Sequence, residues 1–356
     1  MMGKKKRKYV LAVLLLFIFL VIGCTKNISN EKNYIHKEVT VTDSIGRIVK
    51  IPSHVEKVVV FNRYNVEAIQ SLGAIKKIAG IDYGVYLDKE AYGREFNENQ
   101  VSGKNANELN YEKIIELAPQ VVIITGNGAW EDAQKKLEPF GIKVVVVNAY
   151  YTDQFQKTYR LLGKVLNKEE EAEEFIAYFE DKLAYIDKKL KGVHRKKVYY
   201  EYKNPGTTTI PGDYFYNMLE VARADNIFSD AKNVKISLES VIFRNPDLIV
   251  KVGEAKYDPK YLPPGDAEFE NRKKNIINRV GFEQITAVKN DEILLISQYA
   301  QGGASKIIGA CYIAKFLYPE YLPELHPEEI FKTWVTKYQK LTYVGGHTYP
   351  KFSVED

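Results

Sequence analysis

The sequence predicts an α/β protein with two Rossmann-like lobes, each built on a parallel central sheet, joined by one long α-helix. Short apolar runs rich in β-branched residues alternate with amphipathic helical stretches, which is typical of parallel strands buried on both faces. This alternation stops at one long helical stretch and then starts again, and one helix–strand unit occurs on each side of it. The chain has 356 residues, more than a single hydrophobic core usually supports.

The N-terminus has the order of a signal peptide, a basic segment followed by an apolar one. Residues 4–8 are all Lys or Arg, and the apolar run from Tyr9 to Ile22 is shorter than the roughly 20 residues of a bilayer span. The run closes on Gly23 and Cys24, which resembles a lipobox. We therefore expect residues 1–23 to be a cleaved signal peptide and Cys24 to carry a lipid anchor. The alternative is an uncleaved N-terminal anchor helix, and both place the globular part outside the cytoplasmic membrane.

The remaining composition excludes several classes of protein. Residues 4–8 account for the whole formal net charge of +5, so the rest of the chain gives no argument for binding nucleic acid. Residues 24–37 are polar and lack an apolar period, which predicts a flexible tether. With Cys24 lipidated, Cys311 has no partner for an internal disulfide, and its apolar helical surroundings predict that it is buried.

The first lobe is assigned to residues 38–166. The segment from Glu38 to Pro52 alternates apolar and polar residues on both sides of Gly46, which predicts a β-hairpin. Four short apolar runs separated by helical stretches are expected to form the parallel sheet. These runs are Val58–Phe61, Ile78–Ile81, Val121–Ile124 and Val144–Val147.

A connecting helix over residues 167–192 separates this lobe from the second. Apolar residues recur there at steps of three and four, and Gly192 follows them. The second lobe, residues 193–340, repeats the alternation, with a late helix expected from about Ala304 to Leu317. Its strands are expected at Val198–Tyr202, Leu248–Val252 and Glu292–Ile296. Residues 341–356 are set apart as a tail.

One helix–strand unit is duplicated, as Leu109–Ile124 in the first lobe and Ile236–Val250 in the second. In each copy a capping residue stands two positions before a glutamate, and a proline stops the helix seven positions after that glutamate. These residues are Asn110, Glu112 and Pro119 in the first copy, and Ser237, Glu239 and Pro246 in the second.

Five segments in order resemble the class III solute-binding proteins, the iron/cobalamin-type family of ABC importers. They are VTDSIGRIVKIP, NYEKIIELAPQVVI, SLESVIFRNPDLIV, FEQITAVKNDEILLI and GACYIAKFLYPE, and the resemblance runs from Val39 to about Tyr338. It implies the class III periplasmic binding protein fold and a binding protein rather than an enzyme. The implied partners are an ABC permease dimer and its ATPase, and the implied cargo is a metal chelate, a ferric siderophore first and haem or cobalamin next. We expect a monomer on the outer face of the cytoplasmic membrane.

The resemblance assigns Glu112 and Glu239 to docking with arginines of the permease. The alternative is that both carboxylates only stabilise the start of their helices through the helix dipole. The family often has Gly-Pro-Arg near the start of the late helix, where this chain has Gly302, Gly303, Ala304 and Ser305. No ligand-contacting arginine is therefore carried over to that place.

Ligands of parallel sheets bind beyond the carboxyl ends of the strands, where loops and helix N-termini converge. Aromatic rings there would cover the apolar faces of a flat chelate, and cations would neutralise its anionic oxygens. Because the chain contains 26 tyrosines, ordinary loop positions are the alternative for some of the candidates. The candidates are Arg63, Tyr64, Tyr83, Tyr86, Asn127, Trp130, Tyr150, Tyr214, Lys251, Tyr257, Tyr299 and Gln301.

Direct metal binding and catalysis have no matching pattern. None of the five histidines lies at a strand end, and no pair of them has the spacing of metal ligands, so we expect neither a bare metal site nor a resident cofactor. No nucleophile elbow or phosphate-binding loop is present in the sequence. The alternatives in other classes are a chelate-processing enzyme on the same fold, which would need a titratable pair in the cleft, and a surface sensor without a permease.

Overall fold

The computed structural model describes residues 37–253 and 261–352, and the predicted two-lobed α/β architecture is confirmed there. The expected signal peptide, the anchor at Cys24 and the candidate Tyr257 lie outside the described residues. No helix within these two ranges combines the length and the apolar character needed to cross a bilayer.

The first lobe centres on a four-stranded parallel sheet. The strands of the whole lobe, inside and outside this sheet, are β1 (Glu38–Thr42), β2 (Ile48–Pro52), β3 (Val58–Val60), β4 (Ile78–Ile81), β5 (Gly103–Asn105), β6 (Glu108–Leu109), β7 (Val121–Ile124) and β8 (Lys143–Val146). The central sheet has the order β4–β3–β7–β8, and β1 pairs with β2 as the predicted hairpin. The strands β3 and β7 are buried along their whole length, because helices cover both faces of the sheet.

Helices and short 3₁₀ turns connect these strands. The helices are α1 (Arg63–Ser71), α2 (Tyr83–Leu87), α3 (Lys89–Tyr92), α4 (Tyr111–Leu117), α5 (Trp130–Leu137) and α6 (Phe155–Leu166). The 3₁₀ turns are Ile75–Lys77, Glu98–Gln100, Glu138–Phe140 and Thr152–Gln154.

The connecting helix α7 spans Glu169–Lys189 and packs between the lobes. Phe175 on its buried face stacks on Tyr159 of the first lobe with ring centroids 4.4 Å apart. The same ring meets Tyr338 of the second lobe edge-on at 4.6 Å. One apolar core therefore runs from the first lobe across α7 into the second.

The second lobe has a five-stranded sheet with the order β10–β9–β11–β12–β13. Its strands are β9 (Lys197–Tyr202), β10 (Asp225–Asn226), β11 (Leu248–Val252), β12 (Ile293–Ile296) and β13 (Thr348–Tyr349). Its helices are α8 (Tyr216–Val221), α9 (Leu238–Arg244), α10 (Asp266–Ile277), α11 (Thr286–Lys289), α12 (Gln298–Gly302), α13 (Ile307–Leu317) and α14 (Pro327–Thr333). A 3₁₀ turn lies at Phe282–Gln284 and a π-helical turn at Trp334–Tyr338.

The late helix differs from its expected start at Ala304. The chain instead forms α12 and α13, separated by Ala304, Ser305 and Lys306 in the left-handed region with φ of 47°, 55° and 67°. A helix cannot continue through three left-handed residues, so α13 begins at Ile307.

The sequence separates residues 341–356 from the second lobe as a tail. In the structure, the described part of this tail adds a strand to the second lobe. The strand β13 pairs antiparallel with β12, and His347 beside it is buried with its Nδ1 2.7 Å from the Ser297 hydroxyl. A strand of two residues is too short to show an alternating pattern, so no periodicity in the sequence indicates it.

The helix–strand unit that occurs twice in the sequence also occurs twice in the structure. The helices α4 and α9 both have seven residues, and each is capped by its predicted residue. The Asn110 side chain accepts from the Lys113 N–H, and the Ser237 side chain accepts from the Ser240 N–H. Both helices end on a left-handed residue directly before the proline, with φ of 48° at Ala118 and 45° at Asn245.

Replacing either capping residue by alanine leaves a backbone N–H without its acceptor. We expect Asn110→Ala and Ser237→Ala each to lower the free energy of unfolding by about 1 kcal/mol in urea denaturation. The control is Ser229→Ala, because Ser229 is an exposed serine that caps neither helix. Unfolding free energies equal to that of the wild type in both cap variants would contradict the capping geometry.

Candidate functional site

A cavity of about 270 Å³ lies where β3, β4 and β7 end. These strands are parallel, so the residues that follow them share one edge of the sheet. The polar residues that line the cavity include Asn62, Arg63, Tyr64, Asn107, Thr125 and Asn127.

Asn62 and Asp82 set the geometry of this edge. Asn62 caps α1 by accepting from the Tyr64 N–H, and its own N–H donates to Asp82 Oδ2 at 2.7 Å. The other oxygen of Asp82 accepts from the Val85 N–H at 3.1 Å and caps α2. Burial raises the pKa of Asp82 even though these backbone N–H groups favour its charged form.

Arg63 and Glu67 form a buried ion pair behind the cavity, with Arg63 Nε 3.0 Å from Glu67 Oε1. The guanidinium lies 5.3 Å from the ring centroid of Tyr64 and 5.7 Å from that of Tyr299. Burial raises the pKa of Glu67 to about 7, because the charges of Arg63 and Lys306 offset only part of the lost hydration.

Lys306 lies at the centre of a group of rings that comes from both lobes. We call Tyr64, Tyr150, Tyr214, Phe215 and Lys306 the ring cluster. The ammonium is 4.9 Å from the Tyr64 centroid and between 5.4 and 5.6 Å from the other three, and it donates to the Tyr150 carbonyl. Burial lowers the pKa of Lys306 to about 7.

The left-handed segment holds Lys306 against the first lobe. The Ser305 hydroxyl donates to the Ala149 carbonyl at 2.7 Å, and the Thr152 hydroxyl donates to the Ser305 carbonyl at 2.8 Å. At the end of α12, a Cβ added to Gly302 would stand 2.9 Å from the Tyr64 ring, so a larger residue there would displace that ring. Arg63 from the first lobe and Lys306 from the second both approach the ring of Tyr64.

The predicted candidates divide into two groups. Arg63, Tyr64, Tyr150 and Tyr214 come together around Lys306, and Tyr299 joins them through Arg63. Asn127 lines the cavity beyond β7. Whether each of them contacts a ligand stays a prediction.

Other candidates lie elsewhere. Lys251 is buried with its ammonium 3.2 Å from Glu201 Oε1, and the amide nitrogen of Gln301 is buried 3.0 Å from the Met218 sulfur. Both side chains have partners in the second lobe, although the side-chain oxygen of Gln301 is buried without a hydrogen-bond partner among the described residues.

Tyr83, Tyr86 and Trp130 lie on the helices α2 and α5 of the first lobe. Tyr83 and Tyr86 pack on each other on α2, and Tyr83 lines a separate cavity of about 430 Å³. Trp130 begins α5 with the Arg47 guanidinium 4.3 Å above its ring. A position after a strand end does not by itself fix the direction of a side chain.

Sequence reasoning missed Glu67 and Lys306. Glu67 stands four residues after Arg63, which is the spacing of an ion pair on one helix face. Lys306 is the single cation between the Gly302–Gly303 pair and an apolar helix. Neither signal separates a buried charge from a solvated one.

Glu112 and Glu239 occupy the first turns of α4 and α9, one on each lobe. Both are exposed, and no ion-pair partner of either lies within residues 37–253 and 261–352. Their carboxylates are therefore available to a cation outside the chain, and the docking role stays a prediction.

The sequence profile of the family described as periplasmic binding protein matches residues 58–300. This chain belongs to that family. Its type is class III, the iron and B12 type, as the resemblance implied. The related proteins are binding proteins and not enzymes, so this periplasmic binding protein is a substrate-binding protein of an ABC transporter.

Three similar proteins illustrate the range of this family. The chain is 24% identical over 338 residues to the molybdate-binding protein MolA of Haemophilus influenzae, which covers 85% of this chain and 91% of MolA. It is 23% identical over 313 residues to the petrobactin-binding protein YclQ of Bacillus subtilis, covering 83% and 94%. The solved structure of the TroA-like periplasmic binding protein FepB from Veillonella parvula has a TM-score of 0.73 at 22% identity, covering 88% of this chain and 100% of that one.

Glu67→Gln tests the buried carboxylate through pH. In the folded protein the pKa of Glu67 is raised from 4.5 to about 7, so its charged form becomes costly as pH rises through this window. Relative to the wild type, we expect the free energy of unfolding of the variant to increase by about 3 kcal/mol between about pH 4.5 and pH 7.5 in urea denaturation. The exposed Glu138→Gln is the control. Parallel pH profiles for Glu67→Gln and the wild type would refute a raised pKa.

Proposed function

We propose that this periplasmic binding protein captures a metal chelate between its lobes and delivers it to an ABC permease. A ferric siderophore is the first candidate, and haem or cobalamin the next. The leader sequence supports attachment through a lipid on Cys24 to the outer face of the cytoplasmic membrane.

The observation that carries the proposal is the meeting of two cations from opposite lobes at one aromatic ring. Arg63 and Lys306 both approach Tyr64, inside a cluster whose other members are rings. Rings suit the apolar surface of a chelate, and the two cations suit its carboxylate or catecholate oxygens. Because Lys306 is buried, a ligand can reach it only when the lobes separate, and a bound anion would then favour closure.

A compact oxyanion is a second candidate cargo. The cavity of about 270 Å³ is small for a large chelate and carries the amide groups of Asn107 and Asn127 beside Arg63. The similarity to a protein named for molybdate binding, over 85% of this chain, favours the same class.

Thermal shift with a panel of probes tests the cargo. We expect ferric siderophores, ferric haem, cyanocobalamin or sodium molybdate to raise the melting temperature, since a ligand that binds only the folded state stabilises it. For the probe that binds, Arg63→Gln should weaken affinity about tenfold or more in calorimetric titration, because a charged hydrogen bond is lost. The exposed Arg160→Gln is the matched control. Unchanged affinity of Arg63→Gln would refute the proposed contact between Arg63 and the cargo.

Docking to the permease is proposed for Glu112 and Glu239. They lie at the same position of two equivalent helices, and a permease with two like subunits requires equivalent contacts from the two lobes. This function separates the proposal from a surface sensor, which would bind the cargo without transporting it.

The double variant Glu112→Ala with Glu239→Ala should abolish most cargo uptake by cells and leave the affinity for the cargo in solution unchanged. The reason is that both carboxylates face solvent and neither belongs to the ring cluster. Uptake of the labelled cargo is measured beside Glu116→Ala, an exposed glutamate of the same helix α4 that should transport normally. Normal uptake by the double variant would refute the docking role.

A further inference from the structure

Two apolar side chains of the second lobe are almost completely exposed. Phe243 is 91% exposed and Val280 is 96% exposed, more than any other large apolar residue of the described chain. Phe243 lies on α9, one helical turn after Glu239, so both side chains share one face of that helix.

Val280 lies on a turn that packs on the helix of Phe243. Gly281 follows Val280, and a Cβ added to it would stand 2.6 Å from Ile242 Cδ1. The turn that carries Val280 therefore packs on α9 through Ile242, the residue that precedes Phe243. We call Glu239, Phe243 and Val280 the α9 patch.

Ion pairs on both sides hold this surface rigid. Arg279 donates to both oxygens of the buried Glu201 at 2.8 Å, and the Phe282 N–H closes the turn onto the Arg279 carbonyl at 3.0 Å. At the end of α9, Arg244 pairs with Asp230 through both of its terminal nitrogens. A rigid apolar surface loses little conformational entropy when a partner covers it.

The first lobe differs at the equivalent place. Counting from the glutamates, Glu116 on α4 corresponds to Phe243 on α9. Glu116 is exposed and pairs with Lys113 at 2.9 Å. The two helices thus carry the same glutamate, but four residues after it only α9 has an apolar side chain.

The charge of Glu239 selects among the partners that could cover the patch. An anionic lipid surface would repel the carboxylate. A second copy of the chain in a two-fold interface would place the same patch against itself and bring like charges together. A protein surface with a cation next to an apolar depression satisfies both the carboxylate and the two apolar side chains.

We propose that Phe243 and Val280 are an apolar anchor that seats in a depression beside a cation on the permease subunit facing the second lobe. This inference rests on the proposed docking function and extends it. The carboxylate attracts and orients the partner, and the apolar pair excludes water around that ion pair and slows dissociation.

Photo-crosslinking in living cells identifies the occupant. Phe243→p-benzoylphenylalanine and Val280→p-benzoylphenylalanine in the full chain should each crosslink to one polytopic membrane protein that copurifies with an ATPase subunit, identified by mass spectrometry. Ile48→p-benzoylphenylalanine, at a 75% exposed position of β2, is the control and should not. Crosslinks from position 243 to lipid or to a second copy only, or none, would overturn the proposal.

Affinity for the captured permease–ATPase complex in nanodiscs then measures the anchor. We expect Phe243→Ser combined with Val280→Ser to weaken binding about tenfold or more, equally at low and high salt. Glu239→Ala should weaken the affinity for the complex more at low salt than at high salt. Ile48→Ser should leave that affinity unchanged. The variants must keep the wild-type melting temperature.

The two proposals fail in different ways. If the apolar double variant binds like the wild type while Glu239→Ala is impaired, the anchor is refuted and the docking role stands. If neither change affects binding, the docking role fails and the anchor fails with it. A dimer in light scattering that Phe243→Ser dissociates, with unchanged permease binding, would assign the patch to self-association instead.

Discussion

The buried ammonium of Lys306 is the constraint on which the interlobe site depends. A charge of this kind is costly in the interior unless other groups replace its hydration. Here the replacement comes from the first lobe, through the Tyr150 carbonyl and the rings of Tyr64 and Tyr150. The pKa of Lys306, lowered to about 7, shows that the replacement is incomplete. An anion beside Lys306 would favour its charged form, which gives the site a physical reason to prefer anionic cargo.

The position of the Lys306 ammonium requires an unfavourable backbone conformation. Ala304, Ser305 and Lys306 are all left-handed, a conformation that costs roughly 1–2 kcal/mol for a residue with a side chain. The surrounding hydrogen bonds to Ala149 and Thr152 fix the segment in this conformation. Because those partners belong to the other lobe, the same contacts that hold Lys306 also hold the lobes together on this side of the cleft.

The sequence predicted the elements of the fold better than the site, for a physical reason. Strands such as Val121–Ile124 and caps such as Asn110 are encoded locally, by burial on both faces and by one side chain at a helix start. The direction of a side chain after a strand depends on partners that are distant in the sequence. Lys251 lies near the end of the expected strand Leu248–Val252 and turns to the buried Glu201, whereas Lys306 enters the ring cluster through a helix break that no periodicity indicates.

The duplicated units also determine how closure would be communicated to a partner. Each of α4 and α9 runs into a buried strand of its own sheet, so Glu112 and Glu239 move with their lobes as rigid bodies. The connecting helix α7 packs on both lobes through Phe175 and belongs to the apolar core that they share. Closure of the lobes would change the distance between the Glu112 and Glu239 carboxylates. A partner that binds both carboxylates would therefore respond to closure. The two equivalent glutamates do not distinguish one lobe from the other. Phe243, which occurs on α9 alone, is a difference by which a partner could distinguish them.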